Sequence, residues 1–573
     1  MKRLIILAAT LIAGLSACDS LLDKEPLDRV TQFDYFKTRS DLELFSNPFY
    51  DNLLDKTPYD EQNDLLVQMT LSDVLYGGDK RTVPNTGGGW SWGNLRRINT
   101  LLEYVDQCED KKAVTEYTAL AKFFRAAFYF DKVKRFGDVP WYEVQLGSAD
   151  EALYKPRDSR ELIMTNMIKD IDEAINSGGL TEDISTYRVN KWAALALKAR
   201  FCLFEGTYRK YHGINLEGHD YTMLFAQENA STEEYILAIR NSYEAQVYHN
   251  ATAYTLLPTQ GRPGYTRKFI NMYLMKDGKA FTDKFKTEWQ TMPFTEEVKD
   301  RDPRLAQSIR TPGYKRIGAK RVQGPDLGVT ITGYQPIKFV QDTTASGGQI
   351  DRNDRSTCDM PVFRYAEVLL NYAEAKAELG SLSDDDLNIT INEIRSRVGM
   401  PALTMKYLHD KQPDWYLSSE EYGYPNVTGS NEIVNAILEI RRERTVELIQ
   451  EGFRLQDLYR WKAGYCIDQA ISGMYFPGPG EYKLAGKETA DLILYKAGET
   501  KPQAGEGVSV YELGSDIILS EGNKGYVYYH KTVENLRTPF NEERDYLYPI
   551  PSGERSLNPN LTQNPGWSDG LDF

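Results

Sequence analysis

Cysteine and histidine are scarce in this chain, five of each in 573 residues. Cys18, Cys108, Cys202, Cys358 and Cys466 lie far apart, and no CxxC pair occurs. That spacing excludes a zinc ribbon and a thioredoxin-type centre and leaves the last four as buried free thiols. His212 and His219 are the one close histidine pair, and they read as loop residues rather than metal ligands. HExxH, GxSxG, a phosphate-cradling P-loop and a GxGxxG after a strand are all missing, so no metalloprotease, serine-hydrolase or nucleotide-binding signature exists. "DRND" at 351–354 has carboxylates that suit Ca²⁺ but lacks the EF-hand pattern, and reads as a solvated loop. Positive charge is in deficit: 68 Lys and Arg against 83 Asp and Glu, a formal charge of −15. Such a surface repels phosphate backbones, which argues against a nucleic-acid partner. Beyond the first 17 residues no apolar run is long enough to span a bilayer.

The exception is the start, "MKRLIILAATLIAGLSAC". Lys2 and Arg3 form a positive n-region, and Leu4 to Leu15 form an apolar stretch too short for a ~30 Å hydrocarbon core but right for a secretory signal. Leu15-Ser16-Ala17-Cys18 resembles a bacterial lipobox, in which cleavage precedes a lipidated cysteine. Residues 1–17 are therefore expected to be a lipoprotein signal peptide. Cys18 is expected to carry lipid and hold the protein on a membrane that it does not cross. Residues 18–30, polar and containing Pro26, read as the tether.

Aromatics are abundant: 38 Tyr, 22 Phe and 8 Trp. Many must be core, yet an acidic, aromatic-rich exported chain also suits sugar binding, because a flat ring stacks on the apolar face of a pyranose. Helical periodicity is clearest in "AVTEYTALAKFFRAAFYFDKVKRFGDVPWY", where Leu120, Phe123, Phe124, Ala127 and Phe128 share one face. Gly137 and Pro140 end it. "VNKWAALALKARFCLFEG" predicts a second helix stopped by Gly206, and "FRYAEVLLNYAEAKAELG" a third ending at Gly380. In "SDDDLNITINEIRSRVG", Asp384–Asp386 sit where a helix N-terminus favours negative charge. Paired helices with small residues on one face suggest tetratricopeptide-style packing, although no clean 34-residue period survives. The expected fold class is all-α, with long irregular regions at 77–92, 206–232, 258–360 and 405–430.

Two constellations bear on chemistry. Glu443, Glu447 and Glu451 recur at i, i+4 and i+8 beside Arg444, Arg454 and Arg460. Glycosidic acid–base chemistry needs carboxylates opposed across a cleft, which one helix face does not offer, so an ion-pair network is the preferred reading. The loop "YGGDKRTVPNTGGGWSWGNLRRIN" places Trp90 and Trp92 just before a helix. They are either a hydrophobic plug or a stacking platform. Asp79, Arg81 and Asn94 are near enough in sequence to hydrogen-bond sugar hydroxyls. Tyr265, Tyr273, Trp289, Tyr314 and Tyr334 are further ring candidates from the long 258–345 region.

These segments together resemble the SusD/RagB family of Bacteroidota outer-membrane lipoproteins. The likeness runs in order through "CDSLLDKEP", "AKFFRAAFYFDKVKRFGDVPWY", "KWAALALKARFCLFEG", "RDPRL", "FRYAEVLLNYAEAKAELG", "INEIRSRVGMP", "RRERTVELIQEGFRLQDLYRW" and "YLYPIPSGERSLNPNLTQNPGW". The resemblance implies an all-α core of four tetratricopeptide-like helix pairs plus a loop-rich part. It divides the chain into a helical part at 31–230 and a C-terminal part at 231–573. It also implies a non-enzymatic capture protein, without cofactor, that binds glycans at the cell surface and hands them to a SusC-like TonB-dependent transporter. Asp19, Asp23 and Glu25 beside Cys18 look like a surface-export signal, which places the protein on the exterior of the outer membrane. A stacking Trp in the loop before "NLRRIN" carries over to Trp90 or Trp92. The competing expectations are peptide or other nutrient cargo in the same arrangement, and a helical glycoside hydrolase.

Overall fold

The computed structural model describes residues 35–183, 187–213 and 234–571, without the side chain of Asp79. Cys18, the tether and His219 lie outside the described residues. Among the described residues, nine helices of seven residues or more carry the core: α1 (Arg39–Leu53), α2 (Gly93–Tyr104), α3 (Lys111–Phe136), α4 (Arg160–Asn176), α5 (Lys191–His212), α6 (Tyr365–Glu378), α7 (Ile391–Arg397), α8 (Asn431–Glu447) and α9 (Arg454–Arg460). Successive helices α2 to α5 pack side by side, α5 then packs on α6 and α9, and α6 packs on α7 and α8. This is an all-α core of tetratricopeptide-like helix pairs. No helix among the described residues is long and apolar enough to cross a membrane.

Local chemistry accounts for the helix ends. Thr38 and Asp41 close a reciprocal capping box on α1. The expected stop of α3 holds: Gly137 takes φ 71° and its N–H donates to Val133 O. Its Phe123, Phe124 and Phe128 are buried as their spacing predicts. Ser383 and Asp386 likewise cap the short helix Asp384–Asn388. The expected stop at Gly206 does not hold, because α5 continues to His212 and ends at Gly213 in the left-handed region. A mid-helix glycine costs only about 1 kcal/mol. Against that stand the Arg209–Glu205 ion pair and a stack of Phe204, Tyr208 and His212 rings at 5.9 and 4.0 Å. His212 is thus a packed helix residue, and burial lowers its pKa to about 4.

Strands are short, and several of them, Leu66–Val67 and Gly264–Tyr265 among these, are buried. Antiparallel pairs join β1 (Leu66–Val67) to β3 (Gly264–Tyr265), β2 (Tyr235–Ile239) to β4 (Met360–Arg364), and β5 (Tyr475–Phe476) to β9 (Gly525–Tyr526). β6 (Gly480–Tyr482), β7 (Leu492–Tyr495) and β8 (Ser509–Glu512) form a three-stranded sheet whose β7–β8 edge is parallel. The sequence gives no alternation strong enough to announce it.

α8 is unusual because every residue from Val434 to Glu447 is buried, charged ones included. Buried charges demand partners. Glu443 meets Arg304 at 2.8 Å and Arg395 at 2.6 Å. Glu447 meets Arg364 at 3.0 Å and Arg397 at 2.6 Å. Arg444 meets Asp457 at 2.7 Å. Glu451 lies past the end of α8, in a turn, and binds Arg364 and Lys338. The three glutamates therefore share a network rather than one helix face. Glu374 of α6 takes both guanidinium nitrogens of Arg460 and the Trp461 indole N–H. Burial opposes ionisation at Glu374, Glu439 and Glu447, but the cations beside them outweigh it and hold each pKa at about 2.

Glu61 shows the opposite balance. Its carboxylate accepts the Leu455 N–H at 3.2 Å, and burial pushes its pKa up to about 7. A carboxyl whose folded pKa exceeds its unfolded value stabilises when protonated, so its contribution falls as pH rises from about 4.5 to 7. Glu61→Gln is expected to raise the melting temperature at pH 8 and to leave it unchanged at pH 4. Thermal unfolding at the two pH values checks this, and equal shifts at both would contradict it.

Candidate functional site

Most of the residues nominated from sequence are structural. Trp90 is buried, edge-on to Phe136 at 4.9 Å and to Trp92 at 5.4 Å, so its faces are unavailable. Arg81 is also buried. It binds Asp545 through the carbonyl at 3.0 Å and the carboxylate at 3.2 Å, and lies over the Tyr548 and Trp567 rings. It clamps the 77–92 loop to the C-terminal segment, a partner 464 positions away. Tyr265 and Tyr273 are fully buried, their hydroxyls donating to Gln450 Oε1 and Ser308 Oγ. Tyr334 is buried on Glu297 at 2.7 Å. The side chain of Asp79 lies outside the described residues. Trp92, Asn94 and Tyr314 keep partial exposure. Trp92 is edge-on to Tyr142 at 5.7 Å, Asn94 donates weakly to Asn52 O at 3.4 Å, and Tyr314 has the Arg310 guanidinium 5.6 Å from its ring.

Trp289 is buried too, yet it leads to an accessible array of rings. It stands in the 3₁₀ turn Glu288–Thr291, 5.9 Å from Tyr416 and 6.2 Å from Tyr422. Tyr416 and Tyr422 stack at 4.5 Å with 8° between planes, and Trp415 meets both at 5.7 and 6.4 Å. Trp415 is 43% exposed, and Tyr422 is half-buried. On the other side, the Arg267 guanidinium lies between Trp289 and Tyr526, 5.8 and 4.9 Å from their rings, and Tyr526 adjoins Tyr475 at 5.8 Å. Tyr475 and Tyr526 are half-buried. Trp415 and Tyr422 thus stand on one side of the buried pair Trp289 and Arg267, and Tyr526 and Tyr475 on the other.

The array is rigidly supported. Asp414 caps the turn Trp415–Ser418, accepting from Tyr416 N at 3.0 Å and Leu417 N at 3.1 Å, and is itself ion-paired to Arg442 of α8. The chain then doubles back so tightly at Gly423 that a Cβ would sit 1.9 Å from Leu417 O, which brings Tyr422 onto Tyr416. Asn271 donates to the Tyr416 hydroxyl at 3.2 Å. Arg267 is ion-paired to Glu297 at 3.1 Å. Burial raises the Tyr422 phenol above its ordinary pKa, and the neighbouring Glu421 carboxylate adds to it, so the hydroxyl keeps its proton at neutral pH. Glu288, Gln290, Glu420 and Glu421 are exposed on the same turns. Exposed ring faces beside carboxylates and amides fit a hydroxyl-rich ligand with an apolar face. Trp415 and Tyr422 escape sequence reasoning although "DWYLSSEEYGY" packs four aromatic residues, Trp415, Tyr416, Tyr422 and Tyr424, into one irregular stretch. Ring density inside a loop is the signal that was there.

Comparison with known proteins agrees with this architecture. A family model described as the SusD family matches residues 227–567, more than half of the chain. The chain belongs to the SusD family. A second SusD-like model, described as starch-binding and associating with the outer membrane, matches residues 35–204. SusD-like protein P38 of Formosa agariphila is 23% identical over 506 residues, covering 80% of this chain and 91% of that protein. A SusD-like protein of Bacteroides fragilis superposes with a TM-score of 0.63 at 19% identity, over 95% of this chain and 100% of that one. A SusD-like carbohydrate-binding protein of the same organism gives 0.63 at 22% identity, over 92% and 100%. At these identities the superpositions speak for the fold.

Proposed function

We propose that this SusD-family protein is a cell-surface lipoprotein that captures oligo- or polysaccharide and passes it to a SusC-like TonB-dependent transporter. In this reading Cys18 carries the lipid, the tether at 18–30 spaces the body from the outer membrane, and the protein faces the exterior. It binds and does not cleave. The helical part at 31–230 and the part at 231–573 act as one scaffold. The observation that carries the reading is the supported aromatic array with exposed Trp415 and half-buried Tyr422, Tyr526 and Tyr475. Family membership supports it independently, as does the second family model's description as starch-binding.

Two or three stacking contacts on an open surface, each worth on the order of 1 kcal/mol, give micromolar to millimolar affinity after ordering costs. Repeated engagement along a polymer then raises retention. The test is a screen of the chain starting at residue 19 against plant, host and microbial glycans, with product analysis of every hit. Binding without new reducing ends is expected. Depolymerisation would make the protein an enzyme, and binding to oligopeptides alone would replace glycan with peptide cargo.

A further inference from the structure

A second site lies away from the aromatic array and shares no residue with it. Between α3, α5 and α9 runs a cleft of 570 Å³, floored by β4 and bordered by the end of α1 and the start of α2. Phe128, Phe130 and Phe453 are among the residues that line it. Its volume suits a mono- or disaccharide-sized molecule.

Most charges in the cleft wall already have partners. Arg200 holds Glu367 at 2.7 Å, Arg444 holds Asp457, Arg460 holds Glu374, and Glu451 holds Arg364. Asp55 accepts the Thr57 N–H at 2.9 Å. Asp131 is turned largely to solvent, 3.9 Å from Lys134. Lys132 differs. It is only 4% exposed, and its ammonium donates to the Gly89 carbonyl at 2.5 Å. It also lies 4.8 Å from the Phe128 ring centre and 5.6 Å from that of Trp92. No carboxylate among the described residues lies within 4 Å of it. Burial lowers its pKa to about 8, with Arg135 adding to the fall and the more distant Asp131 carboxylate opposing it.

A second polar residue lines the same cleft. Gln456 Oε1, on α9, is buried with no hydrogen-bond partner. An orphaned acceptor calls for a donor, and a buried cation calls for an anion. Asn94, with its single long hydrogen bond, lines the cleft near them. We infer that this cleft binds a small hydroxylated carboxylate, of the class of a uronic acid or an acidic disaccharide, with the carboxylate on Lys132 and a hydroxyl on Gln456. Phe128 and Phe130 then cover the apolar face of the ring.

The probes are D-glucuronate and D-galacturonate, with D-glucose, D-galactose and acetate as controls, titrated into the chain starting at residue 19 by calorimetry. The sugar acids are expected to bind, with the neutral sugars and acetate at least tenfold weaker. Lys132→Met keeps the stem and removes the charge, and is expected to weaken sugar-acid binding at least tenfold. Gln456→Leu is expected to weaken it about fivefold, and covers the case in which the lysine variant fails to fold. Both variants are expected to bind at the aromatic array as wild type does, so loss of this site and failure of the glycan-capture reading are separable. Equal affinity for neutral sugars, no binding of either sugar acid, or sugar-acid binding unchanged in both variants would each overturn the inference.

Discussion

Glu374→Leu is expected to lower folding stability by about 3 kcal/mol, because it strips a buried guanidinium of its bidentate partner and leaves Asp457 as the remaining counter-ion. Arg460 is 2% exposed and has Glu374 as its bidentate partner, while the Trp461 indole N–H points at the same carboxylate at 2.7 Å. Leucine fills much of the volume but leaves the outer guanidinium nitrogens without their carboxylate and the indole N–H without an acceptor. The double variant Glu374→Leu/Arg460→Met is expected to recover part of the loss, since Asp457 keeps Arg444 and only the Trp461 N–H stays without an acceptor. Equilibrium denaturation by urea checks both. A Glu374→Leu midpoint equal to that of wild type would contradict the account. The same network sets the acid limit. Glu374, Glu439 and Glu447 have folded pKa values near 2, below their unfolded values, so their contribution is complete above about pH 4.5. It is lost as pH falls from there to about 2.

Trp90→Ala is expected to cost about 3–5 kcal/mol, the usual range for deleting a buried tryptophan. Its ring fills the space between Phe136 and Trp92, at the base of a loop that Arg81 pins to Asp545. The surviving folded fraction is expected to bind glycan with wild-type affinity, because the ring's faces meet only protein. Denaturation and calorimetry on the same preparation separate the two effects. A variant that melts as wild type does and loses glycan would return Trp90 to the binding surface.

The contrast between Trp90 and Trp415 shows what one dimension carries. Helix α3 is legible because its apolar spacing is local and its stop, Gly137, is adjacent. The all-α class follows from such segments, and the family motifs coincide with them. The loop aromatics are different. Trp90, Trp289 and Trp415 all stand in stretches without a helical or strand period, and only the folded chain decides which ring is left uncovered. Trp289 is covered by Tyr416 and Tyr422, more than a hundred positions later, while Trp415 ends on the outside of the same cluster. Arg81 was legible as a polar group near aromatics, but its partner Asp545 is at the far end of the chain. The glutamates at 443, 447 and 451 were legible as structural because one helix cannot oppose two carboxylates. Their arginines, drawn from positions 304, 364, 395 and 397, were not.

The central claim is that Trp415 and its neighbours hold a glycan. It is tested most directly by calorimetric titration of the strongest-binding glycan into wild type and Trp415→Ala, with a melting curve for each. The account predicts a loss of affinity of at least tenfold at a melting temperature within a few degrees of wild type. Unchanged affinity in a folded Trp415→Ala variant would contradict it and place the glycan elsewhere on the protein.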